Sequence, residues 1–260
     1  MAYIKDTYTF TDSIEVDIKF AGRYGAKGET RNKRKNVTPE VIQKQNQRNR
    51  EIKYRRTIKA NFKKGDLWVT FTYPGGTRLT MSQVKKDIKN LTDNVRKHYK
   101  KRDTDFKWIK RIEIGRNGGV HVHMLINRLR GDPSTEEIIS GYWKVGRAHF
   151  EIFNGASEDA HKIADYVTKQ LTDGQKKKAE EQGLPLKEMT SISTSKNLVR
   201  PVPVRKKYAR RTVRRIIENG PTPHKGFVID KNSLVFGENP FTGLSYCKYI
   251  EIRADGGELP

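Results

Sequence analysis

The sequence holds a single cysteine, Cys247, among 260 residues. That excludes an internal disulfide framework and any zinc site built on paired thiolates. Apolar residues are scarce too, at 34%, so the core is modest for a chain of this length. No apolar run approaches the roughly 18 residues needed to span a bilayer. The opening MAYIKDTYTF lacks the basic start and apolar stretch of a signal peptide. These absences lead to the expectation of a cytoplasmic protein with no membrane partner. Acidic residues are outnumbered as well, with 30 Asp and Glu against 53 Lys and Arg, a net charge of +23. Such an excess points to a polyanion: DNA, RNA or an anionic surface.

The charge is concentrated. Residues 21–64 carry fifteen bases against three acids and residues 196–215 carry nine bases and no acid, so these segments supply 12 plus 9 of the net 23. Within the second, Arg205, Lys206, Lys207, Arg210, Arg211, Arg214 and Arg215 are the candidates for phosphate contact, the last four lining one face of an expected helix at 208–219. A solvated face is the bland alternative. Residues 21–40 show no periodicity and read as a flexible connector.

Elsewhere the pattern is ordered. Residues 7–20 alternate as a strand or hairpin, and Thr38-Pro39-Glu40 opens a charged helix to about Ala60. Leu67 to Tyr73 is dense in β-branched and aromatic residues, a strand with Trp68, Thr70 and Thr72 on one face and Val69, Phe71 and Tyr73 on the other. The threonine face suits a polar site, whereas Phe71 suits a core. Thr80 and Gln83 form a capping box before an amphipathic helix to about Tyr99. Asp132-Pro133-Ser134 opens a short helix to Tyr142, Arg147 to Phe153 reads as a strand, and a helix starting at Ser157 is expected to reach Leu171, with Gly174 after its end. Beyond Leu186 the clearest elements are the basic helix and a hairpin around residues 239–243.

The most informative stretch is Gly119-Val-His121-Val-His123-Met-Leu-Ile126. In a strand, His121 and His123 share one face and Val120, Val122, Met124 and Ile126 the other. They are either surface histidines or a pair of metal ligands. A preceding strand, Trp108 to Gly115, carries Glu113. A three-residue loop, Arg116-Asn117-Gly118 with Gly118 left-handed, pairs Glu113 with His121, whereas a two-residue turn sends Glu113 to the opposite face. The three-residue register is the expected one. It gathers two imidazoles and a carboxylate suited to Mn²⁺ or Mg²⁺, with Zn²⁺ also compatible. On the helix after Ser157, Tyr166 lies at the margin of the apolar stripe with Lys162 and Lys169 near it. It is either a core-boundary tyrosine or a phenol whose ionised form neighbouring cations favour.

In combination these segments resemble the HUH endonucleases that initiate rolling-circle replication of small plasmids and phages. The resemblance covers roughly Asn61 to Pro201: a first motif at residues 61–73, His121-Val122-His123, Tyr166-Val167-Thr168-Lys169, and residues 195–201. It implies a DNA-nicking endonuclease with catalytic Tyr166 and Lys169, and with Glu113, His121 and His123 holding Mn²⁺ or Mg²⁺. The reaction would pass through a 5′-phosphotyrosine on single-stranded origin DNA. Gln170 stands where two-tyrosine initiators carry a second tyrosine, and residues 141–148 lack the Lys-Ser/Thr of a phosphate-binding loop. A single-tyrosine enzyme relying on a host helicase and polymerase is therefore expected, with a homodimer as one way to close a circle. A single-tyrosine transposase or relaxase, or a non-catalytic nucleic-acid-binding module, is the alternative. The expected fold is α+β, a central antiparallel sheet of about five strands with helices on one face. The expected organisation is an extension at 1–60, a nicking core at 61–200 and a basic helix with hairpin at 201–260.

Overall fold

The computed structural model describes residues 3–21, 38–239 and 243–254. In chain order the elements are β1 (Tyr3–Thr9), β2 (Ser13–Phe20), α1 (Pro39–Asn61), β3 (Leu67–Thr72), α2 (Met81–Lys101), β4 (Trp108–Ile114), β5 (Val120–Ile126), α3 (Thr135–Tyr142), β6 (Arg147–Ile152), α4 (Ser157–Thr168), α5 (Asp173–Glu181), β7 (Thr190–Thr194), β8 (Val204–Tyr208), α6 (Arg210–Asn219), β9 (Phe227–Ile229), β10 (Val235–Asn239) and β11 (Leu244–Arg253). Among the described residues no helix is long and apolar enough to cross a membrane. The connector at 22–37 and the tip of the expected hairpin, 240–242, lie outside the described residues.

The chain divides into two compact units, Asn49–Arg200 and Met1–Arg48 with Pro201–Pro260. In the first, five antiparallel strands run in the order β6-β3-β5-β4-β7. Strand alternation gives the sheet one apolar face, where Val69 and Phe71 of β3, Val122 and Met124 of β5 and Ile112 of β4 are fully buried. Against them packs the stripe Met81, Val84, Ile88, Leu91, Val95 and Tyr99 of α2, with Ile138 and Ile139 of α3. The N-terminus of α2 carries the expected capping box between Thr80 and Gln83.

The α+β class and the five-stranded antiparallel sheet match the sequence-based expectation, and the expected helical layer covers this apolar face. The opposite face also gains cover. Ala160, Ala164 and Val167 of α4 join Ile58 of α1 over Ile109, Leu125 and Leu198. Two details of α4 differ from expectation. It ends at Thr168, and Gly174 lies inside α5, whose own capping box is formed by Thr172 and Gln175. At its start Ala156 holds the cap position, while the Ser157 hydroxyl accepts a hydrogen bond from Lys59 at 2.6 Å.

The second unit is built on one antiparallel sheet in the order β10-β11-β2-β1-β8, with β9 also paired to β11. Strands from both ends of the sequence thus share one sheet. Val16, Ile18, Cys247 and Tyr249 are buried on one side of it, where Val213 and Ile216 of α6 pack.

Candidate active site

The hairpin joining β4 and β5 sets the geometry. Its loop is Arg116-Asn117-Gly118, closed by hydrogen bonds from Gly115 N to Gly119 O at 2.8 Å and from Gly118 N to Gly115 O at 2.9 Å. Gly118 has φ of 81°, a left-handed conformation that costs glycine little. This three-residue loop pairs Glu113 with His121 and Arg111 with His123.

The same register continues across the sheet. One row of side chains runs Arg147, Thr72, His121, Glu113 and Thr190; the next runs His149, Thr70, His123, Arg111 and Ile192. The third, Glu151, Trp68, Leu125, Ile109 and Thr194, contributes Trp68, Leu125 and Ile109 to the apolar cluster of α4. The face therefore grades from an apolar, helix-covered part to a polar part where Arg147 and His121 are exposed.

Tyr166 meets this face from α4. Its Oη donates to Glu113 Oε2 at 2.9 Å and lies 2.6 Å from His123 Nε2. The ring stands edge-on to His123 and Trp68, at centroid distances of 4.6 and 5.8 Å. Trp68 in turn stacks on His123 at 5.7 Å. Lys169, the C-cap of α4, places its ammonium 3.0 Å from Glu113 Oε2 and 4.0 Å from the centre of the Tyr166 ring. Five of the residues singled out by sequence, Glu113, His121, His123, Tyr166 and Lys169, are thus neighbours on one face. Lys162 is not among them; it pairs with Glu158 at 2.8 Å.

Electrostatics follow from burial and these partners. Burial alone would raise the pKa of Glu113, but Lys169 and Arg111 outweigh it and the net shift is downward. The group is an ionised carboxylate at neutral pH. Burial pushes His123 down to about 4 against the opposing pull of Glu113, so its imidazole is neutral. Burial, then the negative charge of Glu113, raises the Tyr166 phenol above its ordinary value. Left with these partners alone, the phenol is a poor nucleophile.

The donor types suit a divalent ion: a carboxylate and a neutral imidazole converge on one point, with a second imidazole beside them. His121 and His123 lie nearly parallel, at 6.3 Å between ring centres. Among the described residues no three His, Cys, Asp or Glu side chains are gathered tightly enough to hold a metal as they stand. Tyr166 Oη occupies the point that Glu113 and His123 share. Thr70 Oγ1, 3.0 Å from His123 Nδ1, sets the tautomer. For Nε2 to act as a ligand, Nδ1–H must donate to the threonine, leaving the Nε2 lone pair unshared.

One central residue is missing from the motif-based set. Arg111 is fully buried. Its Nε donates to Glu113 Oε1 at 2.8 Å, and its Nη1 donates to the carbonyls of Val167 and Lys169, each at 2.8 Å. The available signal was parity, since Arg111 lies two residues before Glu113 on the same strand face.

The basic candidates lie in the other unit. Arg205 forms a two-toothed ion pair with Asp6, at 2.6 and 2.9 Å. Lys206 and Lys207 are exposed on β8, and Arg210, Arg211, Arg214 and Arg215 are exposed on α6, where Arg214 also pairs with Glu218 at 2.8 Å.

No curated protein and no solved structure gives a significant match. Residues 66–175, which contain Glu113, His121, His123, Tyr166 and Lys169, match the family model of the replication-associated protein ORF2, consistent with the rolling-circle replication initiators that the motifs resemble.

Proposed function

We propose that this protein nicks and rejoins single-stranded origin DNA through Tyr166, as a rolling-circle replication initiator. The observation that carries the reading is the approach of the Tyr166 oxygen to within 2.9 Å of Glu113 and 2.6 Å of His123, on the face opposite the large apolar core. Glu113, His121 and His123 would hold Mn²⁺ or Mg²⁺. When bound, the ion supplies Lewis-acid polarisation of the scissile phosphate.

Tyr166 Oη attacks phosphorus and the bond to O3′ breaks. The phenol loses one proton, O3′ gains one, and the products are a free 3′-hydroxyl and a 5′-phosphotyrosine. Attack by a 3′-hydroxyl on that phosphotyrosine rejoins the strand and conserves the number of phosphoester bonds. Lys169 favours the phenolate through its position over the ring, and it also neutralises Glu113. Trp68 and His123 fix the ring and exclude water from its flanks.

The test is incubation of the protein with Mn²⁺ or Mg²⁺ and single-stranded DNA from its replicon's origin, followed by denaturing electrophoresis. A covalent adduct is expected, together with its loss when EDTA is present. Absence of any adduct with either metal would reject nicking and leave a binding module.

Phosphate contacts by α6 and β8 predict a steep dependence on salt. For single strands the slope of log affinity against log salt is about −0.7 per phosphate neutralised. The double variant Arg211→Ala/Arg215→Ala should flatten the slope by roughly 1.4. Anisotropy titrations from low to moderate salt measure this, and an unchanged slope removes α6 from the DNA interface.

A further inference from the structure

We infer that Arg111 is a positioning residue for this reaction, joining the carboxylate of Glu113 to the end of the helix that carries Tyr166. The inference rests on the nicking function proposed above. Arg111 has no exposed surface, and burying a guanidinium is costly unless acceptors surround it. Three do, and they come from two elements: Glu113 Oε1 on its own strand, and the Val167 and Lys169 carbonyls that end α4. Those carbonyls are at the negative end of the helix dipole, where a cation is favoured.

The arrangement fixes two things at once. Glu113 has one oxygen held by Arg111, so Oε2 is the oxygen facing Tyr166, Lys169 and His123. The chain leaves α4 at Lys169 in an extended conformation, φ −50° and ψ 146°, with its carbonyl turned to Arg111. Tyr166 lies one turn before that point. The distance between nucleophile and carboxylate is therefore held by a single planar fork as well as by the general packing of α4. Nη2 finds no hydrogen-bond partner among the described residues, an incomplete satisfaction that simple core filling does not require.

A lysine keeps the charge but cannot span three acceptors from one planar group. In Arg111→Lys, adduct formation at saturating Mn²⁺ and DNA should slow about 10- to 100-fold, and Mn²⁺ affinity, read by electron paramagnetic resonance without DNA, should weaken by a similar factor. DNA affinity should stay within about threefold, because α6 and β8 are untouched. A folded Arg111→Lys protein with wild-type rate and wild-type Mn²⁺ affinity overturns the positioning role. If that variant does not fold, the wild-type protein supplies the answer through its Arg111 Nε–H resonance, assigned by its displacement in Glu113→Gln. The resonance should shift as Mg²⁺ is titrated, and a resonance indifferent to saturating Mg²⁺ overturns the role. Failure of the wild-type protein to form an adduct would instead reject nicking itself, with the Mn²⁺ and Mg²⁺ measurements still deciding whether Arg111 organises Glu113.

Discussion

Tyr166→Phe should abolish the covalent protein–DNA adduct, reducing its rate of formation about a thousandfold or more, because the substitution removes the attacking oxygen and little else. The ring contacts with Trp68 and His123 need no hydroxyl, so the fold and DNA affinity should persist. No other tyrosine of residues 49–200 is placed to substitute. Tyr73 bonds Asp87 and packs with Tyr99 in the cluster under α2, on the far side of the sheet. Tyr54 packs in the apolar cluster under α4. Tyr142 is exposed and meets His98 at 3.1 Å. Tyr142→Phe is accordingly the matched control and should leave the adduct unchanged. An adduct of undiminished yield in Tyr166→Phe would transfer the chemistry to another residue and dissolve the site described above.

The largest effect on stability is expected at Phe71. Its side chain is fully buried, and its ring meets Trp143 edge-on at 4.9 Å. In register it lies between Val122 and Ala148, in a sheet whose apolar face depends on such residues. Phe71→Ala should cost about 3–5 kcal/mol, a large part of the roughly 5–15 kcal/mol that holds a typical domain together. Urea or guanidinium denaturation measures it, and a loss below about 1 kcal/mol would mean that the core collapses around the vacated volume more completely than packing allows. The residue faces away from Tyr166, so Mn²⁺ binding by the protein that remains folded should be unaffected.

The pairing of Glu113 with His121 was legible because two local signals agreed: alternation fixed which residues share a face, and Gly118 fixed the loop length. Phe71 and the α2 stripe were legible for the same kind of reason, a period of two or of about 3.6 with little competing information. Arg111 was not. An arginine on a polar strand face reads as solvated, and only the distant carbonyls at the end of α4 turn it inward. The true end of α4 was hidden by the same contact, since the apolar stripe continues to Leu171 while the backbone leaves the helix at Lys169 to meet Arg111. Strand β7 was missed because Thr-Ser-Ile-Ser-Thr carries little apolar bulk; it exists through pairing with β4. The basic segment after residue 196 was visible as charge, but its division was not: Arg205 is engaged by Asp6, while Arg211 and Arg215 remain exposed.

The sheet shared by strands from both ends of the sequence sets an order in time. Strands β1 and β2 leave a ribosome well before the neighbour that flanks β2, strand β11, which is made roughly 230 residues later. At about 5–20 residues per second that is a delay of roughly 10–50 seconds. A lone two-stranded hairpin is marginal in water, so the N-terminal pair must wait without its partners while residues 49–200 have every strand of their own sheet already synthesised. A nascent chain stalled shortly after Arg200 would therefore carry all the residues of the tyrosine site while still lacking the basic helix with which the finished protein is proposed to grip DNA. Synthesis itself would separate the two capacities, the chemistry arriving before the grip.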